Sequence, residues 1–221
     1  VTARDVTEMN ALRKRAQKME HLAVLGQLSA TIAHEIRNPL GSVSLNVELI
    51  ADQYGFDEES NEIYSDTKLG IIRIQDIITG ILDFARPLQP KLETEDIHLV
   101  LNSAANSVLS EFADDGVWLR KEYSDSEAKV MMDTNQMIQV FVNLFTNARK
   151  AMKPGGKLTV STKLEERFVK IIVADTGEGM SKETLKKIFS PFFTTRTDGI
   201  GLGLAVVSRI IEEHNSQITV D

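Results

Sequence analysis

The sequence predicts a two-part chain: an antiparallel helical hairpin that dimerises into a four-helix bundle, followed by an α/β sandwich. Three observations predict it. Apolar and small residues recur at alternating spacings of three and four through the first 85 or so residues. A linker, Arg86-Pro87-Leu88-Gln89-Pro90, then interrupts that pattern. After it, short alternating strand-like runs mix with helical ones.

The first helix is read from Val6 to Ile50. One stripe runs Met9, Leu12, Ala16, Met19, Ala23, Gly26, Ala30, Ala33, and a second runs Leu22, Leu25, Ser29, Ile32, Ile36, Leu40, Val43, Val47, Ile50. Two adjacent stripes suit a bundle contact wider than a two-stranded coiled coil. A rod of that length, roughly 65–70 Å, does not hide its apolar face alone. Tyr54-Gly55-Phe56-Asp57 breaks the pattern, and a second helix reads through Ile63, Thr67, Gly70, Ile74, Ile77, Ile81 and Phe84. A lone hairpin leaves apolar surface wet, so a second copy is expected to cover it; packing on the chain's own globular part is the alternative.

In the second part, a strand is expected at Asp96–Leu99, a helix near Val100–Phe112, and strands near Val117–Glu122 and Ala128–Met132. A long helix is read from Asp133 to Met152, with a turn at Pro154-Gly155-Gly156. Paired strands follow at Leu158–Lys163 and Val169–Asp175, then a helix at Gly201–His214 and the start of a strand at Gln217–Val220. The expected architecture is one layer of sheet and one of helices.

Composition narrows the function. The formal charge of −7 and the absence of a Lys/Arg cluster argue against nucleic acid. With no cysteine there is no disulfide scaffold and no Cys-based zinc site. No apolar run is long enough to span a bilayer, and no signal peptide opens the chain. The chain starts at Val1 and is read as a fragment, a cytoplasmic portion making no membrane contact, of a protein that is either cytoplasmic or membrane-anchored.

Chemistry concentrates at Ala33-His34-Glu35-Ile36-Arg37-Asn38-Pro39-Leu40. His34 lies beside the apolar seam, where a neutral imidazole is a good nucleophile near neutral pH. Glu35 is placed to take or orient the ring proton. Asn38, one turn on, is placed to position a water. Pro39 removes the helical partner of the Glu35 carbonyl and predicts a kink. A surface histidine is equally a bland helix residue. A zinc protease needs a second histidine where Asn38 stands, and is rejected.

Four segments of the second part point to a nucleotide. Asn143 and Asn147 share a helix face, and neutral carboxamides suit a Mg²⁺ that keeps waters and bridges phosphates. Asp175-Thr176-Gly177-Glu178-Gly179 follows a strand, with the carboxylate able to accept from an exocyclic amine such as adenine's. Phe189-Ser190-Pro191-Phe192-Phe193-Thr194-Thr195-Arg196 leads to Gly199-Ile200-Gly201-Leu202-Gly203-Leu204, whose glycines expose N–H groups for phosphate oxygens. The stretch from Thr176 to Gly203 reads as a mobile lid. Each segment alone also has a plain structural reading; their order and spacing are the specific signal. Neither a Rossmann finger nor Walker spacing is present.

Together these segments resemble the catalytic core of two-component sensor histidine kinases: a dimerisation and phosphotransfer hairpin plus a Bergerat-type ATP-binding domain. His34 to Leu40 is similar to that family's H box, Asn143 to Asn147 to its N box, Asp175 to Gly179 and Gly199 to Gly203 to its glycine boxes, and Phe189 to Phe193 to its F box. The form Asn147-Ala148-Arg149-Lys150-Ala151-Met152 and the lid Phe192-Phe193-Thr194-Thr195 look most like the nitrogen-regulation branch. The resemblance implies domains at 1–20 (coiled-coil linker), 21–86 (phosphotransfer hairpin), 87–94 (linker) and 95–221 (ATP-binding domain).

It also implies roles. His34 is the phosphoacceptor, Glu35 its activating base, and Asn38 the orienter of water when the partner is dephosphorylated. Asn147 holds Mg²⁺, Asn143 lies near the γ-phosphate and Lys150 near the phosphates, and Asp175 reads adenine. Gly177, Gly179, Gly199, Gly201 and Gly203, with Thr194, Thr195 and Leu202, shape the ATP pocket and lid. The implied partners are a second copy, a response-regulator receiver domain and an upstream sensor; Arg4-Asp5-Val6-Thr7-Glu8 resembles the tail of a PAS domain. Ile200, Ala151, Asn215-Ser216 and the stop at Asp221 depart from the family pattern. Two rivals remain: a Bergerat-fold ATPase without phosphohistidine, and a nucleotide-blind scaffold.

Overall fold

The structure is a computed structural model that describes residues 36–53, 55, 58–86, 88–196 and 199–221. The heptads before residue 36, the PAS-like tail and linker at 1–20, and His34 and Glu35 lie outside the described residues. The chain divides into two units, one helical and one α/β, each described by itself.

In the helical unit, α1 (36–53) ends where the pattern breaks. Gly55 takes φ +65° and its N–H reaches the Ala51 carbonyl at 3.0 Å, the left-handed closure that glycine makes at a helix end. The helix α2 spans Glu58–Ala85. The two run antiparallel, with Lys68 Nζ 3.2 Å from Glu48 Oε1 across the hairpin, a half-exposed pair of small energetic weight. On α2 Ile71 and Ile78, seven residues apart, are buried, as are Phe84 and Ala85 at its end. Ile63 and Ile74, from the stripe read in the sequence, are exposed, as are Leu45, Leu49 and Leu69. A heptad pattern does not itself say which of two apolar faces meets the hairpin partner. No helix among the described residues is long and apolar enough to cross a membrane.

The α/β unit runs β1 (Glu93–Asp96), α3 (Ile97–Asp114), β2 (Trp118–Glu122), β3 (Lys129–Met132), α4 (Thr134–Ala151), β4 (Lys157–Leu164), β5 (Val169–Asp175), α5 (Lys182–Leu185) and α6 (Gly203–Glu213). The β structure falls into two sheets rather than one. β1 pairs antiparallel with β3, and β2-β4-β5 form a second sheet in which β2 lies parallel and β5 antiparallel to β4. Leu158, Val160 and Thr162 of β4 point inward at alternate positions. They meet a helical layer in which α4 packs between α3 and α6. Phe112, Leu101, Phe145, Leu158, Leu202 and Ile210 are fully buried; each contributes about 1.5–3 kcal/mol relative to exposure.

Three sequence expectations are corrected. The strand expected at Asp96–Leu99 ends at Asp96, which instead caps α3 by accepting from the His98 N–H at 3.0 Å; Ile97, Val100, Leu101 and Ala104 are buried at helical spacing. The last helix begins at Gly203 rather than Gly201, whose φ of +72° is not helical. Gln217–Val220 forms no strand, because no ladder partner bonds to it among the described residues.

Side-chain bonds fix how the helices meet. Arg149 on α4 spans Glu111 Oε2 at 2.9 Å and Asp115 Oδ2 at 2.7 Å, tying α4 to the end of α3. Asp133 caps α4, accepting from Gln136 N at 3.1 Å and Lys91 N at 2.9 Å. Its own N–H donates to His214 Nε2 at 3.0 Å. That nitrogen must therefore accept, which puts the ring proton on Nδ1, 2.8 Å from the Ile210 carbonyl. The start of α4 is thus locked to the end of α6.

Candidate nucleotide-binding site

The site is built along one face of α4. Met137, Val140, Phe141, Phe145 and Ala148 turn into the core. Asn143, Asn147 and Ala151 follow one another at four-residue intervals on an adjacent face. They span about 12 Å at 1.5 Å per residue. Asn143 is half-buried, and Asn147 is exposed.

At the upper end of that face sits the start of α6. A methyl group added at Gly203 would lie 3.3 Å from Asn143 Oδ1 and 3.9 Å from Asn147 Nδ2, so both carboxamides border this glycine. The N-cap, Leu202, is a buried apolar residue and supplies no side-chain acceptor. The first N–H groups of α6 therefore lack a capping side chain, and helical dipole and donors alike favour an anion there. Gly201 has no room for a side chain: a Cβ would stand 2.5 Å from the Phe193 carbonyl oxygen. The Phe192–Phe193 backbone lies directly against it. Phe192 itself is exposed and holds φ +63°, a conformation costly for a side chain of its size.

At the lower end, Asp175 is the last residue of β5. Its Oδ1 accepts from the Gly177 N–H at 2.8 Å, which fixes the carboxylate's direction. Gly177 lies so close to α4 that a Cβ would be 2.8 Å from the Ala151 carbonyl oxygen, and Glu178 N donates to that carbonyl at 3.2 Å. Gly179 takes φ +70° in open space, so its requirement is conformational.

The structure thus brings Asn143, Asn147 and Gly203 together, and places Asp175 and Gly177 against the C-terminal turn of the same helix. Lys150 is exposed in that last turn. Thr194 and Thr195 are exposed in a stretch without helix or strand. Gly199 is in irregular chain outside the α/β unit. Asn38 is exposed on α1, and its carbonyl accepts from Ser42 Oγ at 3.2 Å. His34 and Glu35 are not among the described residues. Sequence reasoning gave no role to Met152 and Thr176, which with Ala151 hold the Asp175 loop to α4 and β4. It also missed α5, although Ser181 accepting from Thr184 N is an ordinary capping signal.

A hairpin followed by an α/β sandwich with carboxamides and glycines converging on one helix face defines a nucleotide-handling unit joined to a helical one. Comparisons with known proteins place that class. The His Kinase A (phospho-acceptor) domain matches residues 24–90. The histidine kinase-, DNA gyrase B- and HSP90-like ATPase family matches residues 132–221. The chain is 32% identical over 211 residues to the sensor histidine kinase ZraS of Klebsiella oxytoca, covering 95% of this chain and 46% of that protein. Among solved structures, full-length ShkA in complex with AMPPNP superposes with a TM-score of 0.67 at 25% identity, covering 84% of this chain and 40% of that one. Histidine kinase ThkA in complex with the response regulator TrrA gives 0.66 at 25% identity, covering 96% and 62%. The chain belongs to the two-component sensor histidine kinases and holds the domain pair of their catalytic core. It spans less than half the length of ZraS.

Proposed function

We propose that this chain phosphorylates its own His34 from ATP and passes the phosphoryl group to an aspartate of a response-regulator receiver domain. The observation that carries the reading is the α4 face, where Asn143 and Asn147 border Gly203 and the Asp175 loop docks one turn further along. That arrangement fits a nucleoside triphosphate with its base at Asp175 and its phosphates at the start of α6. The domains would be a linker at 1–20, a phosphotransfer hairpin at 21–86, a second linker at 87–94 and an ATP-binding domain at 95–221.

The residues would divide the work as follows. Asp175 accepts from the adenine amine. Lys150 and the α6 N–H groups draw the phosphate charge, with Asn143 near the γ-phosphate. Asn147 would hold Mg²⁺, which would supply charge neutralisation for the phosphates. Gly199, Gly201, Leu202 and Gly203, with Thr194 and Thr195, close over the nucleotide. Glu35 orients His34 so that an unprotonated ring nitrogen attacks the γ-phosphorus in line. A P–N bond forms, the bond to the β-phosphate bridging oxygen breaks, and ADP leaves. The regulator's carboxylate then displaces the imidazole. In the reverse service, Asn38 orients a water against the regulator's phosphoaspartate.

Exposed Leu45, Leu49, Ile63 and Leu69 support a second copy packing against the hairpin to complete a four-helix bundle. The test is His34→Gln, which should bind nucleotide as the wild type does and take up no label from γ-labelled ATP. A variant that still labels overturns the assignment.

A further inference from the structure

We infer that Thr176 is a positioning residue for nucleotide recognition, acting through Asp175; the inference rests on the nucleotide reading above. The β4–β5 ladder pairs Leu158 with Asp175, so the next rung would join Lys157 to Thr176. The backbone rung is replaced by a side chain. Lys157 N–H donates to Thr176 Oγ1 at 3.0 Å. The Thr176 hydroxyl in turn donates to Met152 Sδ at 3.7 Å.

This substitution releases the main chain after Asp175 from the sheet while still fixing where it leaves. The loop turns at once toward α4, where Glu178 N reaches the Ala151 carbonyl and Gly177 N reaches Asp175 Oδ1. Met152 is itself held, because its Cβ and Sδ lie where a Cβ on Gly156 would be 2.7 Å away. One hydroxyl therefore joins the first residue of β4, the C-cap of α4 and the residue beside the carboxylate. Its loss leaves Asp175 on the sheet and frees the loop that aims it.

Two substitutions and two nucleotides test this in the full chain. Thr176→Val keeps the branched shape and removes the hydroxyl, and Thr176→Ser keeps the hydroxyl. Titration uses a non-hydrolysable ATP analogue and the matching purine riboside analogue, which lacks the exocyclic amine that Asp175 would read. Thr176→Val should bind the adenine compound about five- to tenfold more weakly, the size of one hydrogen bond's net contribution. It should bind the purine compound as the wild type does, and Thr176→Ser should restore the preference. The proposal is overturned if Thr176→Val binds the adenine compound normally or loses both compounds equally. Wild-type protein that binds neither compound, or does not distinguish them, refutes the nucleotide reading itself and the proposal with it.

Discussion

Gly203 stands so close to Asn143 that a methyl group at its α-carbon would come within 3.3 Å of the carboxamide oxygen. That spacing makes Gly203→Ala act in two opposite directions. Alanine in the first turn of α6 lowers the entropy cost of ordering the helix, so stability should rise by about 0.5–1 kcal/mol. Asn143 must give way by a few tenths of an ångström, and the entrance to the α6 N–H groups narrows. Thermal melting and titration with an ATP analogue should therefore move apart, the melt upward and the affinity downward. A variant that loses both together would mean that Gly203 serves the fold rather than the ligand.

Asp133 carries the N-terminus of α4 and should make stability depend on acid pH. Burial alone would raise its carboxyl, but the N–H groups of Gln136, Lys91 and Asn135 outweigh it and hold the carboxyl below the ordinary 3.8. The charged form is favoured in the folded chain. Its contribution is full above the ordinary value and is lost as pH falls through the depressed folded value. Asp133→Ala should cost about 0.5–2 kcal/mol at neutral pH. Asp133→Asn keeps a capping oxygen and should flatten the acid limb in urea denaturation. An unchanged acid limb would mean that the Asp133 carboxylate does not set the acid dependence of stability.

Asn38 is exposed on α1, so Asn38→Ala should leave folding within about 0.5 kcal/mol of the wild type. Autophosphorylation should persist, and release of phosphate from the phosphorylated regulator should fall. Equal loss of both activities would contradict a role in orienting water.

The legible parts of this molecule were those in which a local pattern has a single physical meaning. The break at Gly55 and the end of β5 at Asp175 were readable because glycine closure and strand alternation are short-range. The glycines were readable as a set, and the structure gives them different reasons: Gly177 and Gly201 lack room, Gly179 needs its backbone angle, and Gly203 borders the asparagines. The hidden parts depend on distant partners. Nothing in Ile71 or Ile78 distinguishes them from Ile74 until the other helix is placed. Residues 97–99 read as strand because the role of Asp96 as the cap of α3 shows only in the bond it accepts from His98. The parallel pairing of β2 with β4 and the division into two sheets join segments some forty residues apart. The part played by Thr176 is not legible in the sequence, since its partners, Lys157 and Met152, lie on other elements.

Phosphorus must reach one imidazole, and a single labelling experiment tests this most directly. The chain is incubated with γ-labelled ATP and Mg²⁺, tested for acid and base lability, and mapped by peptide. The expected result is one acid-labile, base-stable phosphate on His34. No label, or label that is acid-stable or maps to another residue, would contradict it.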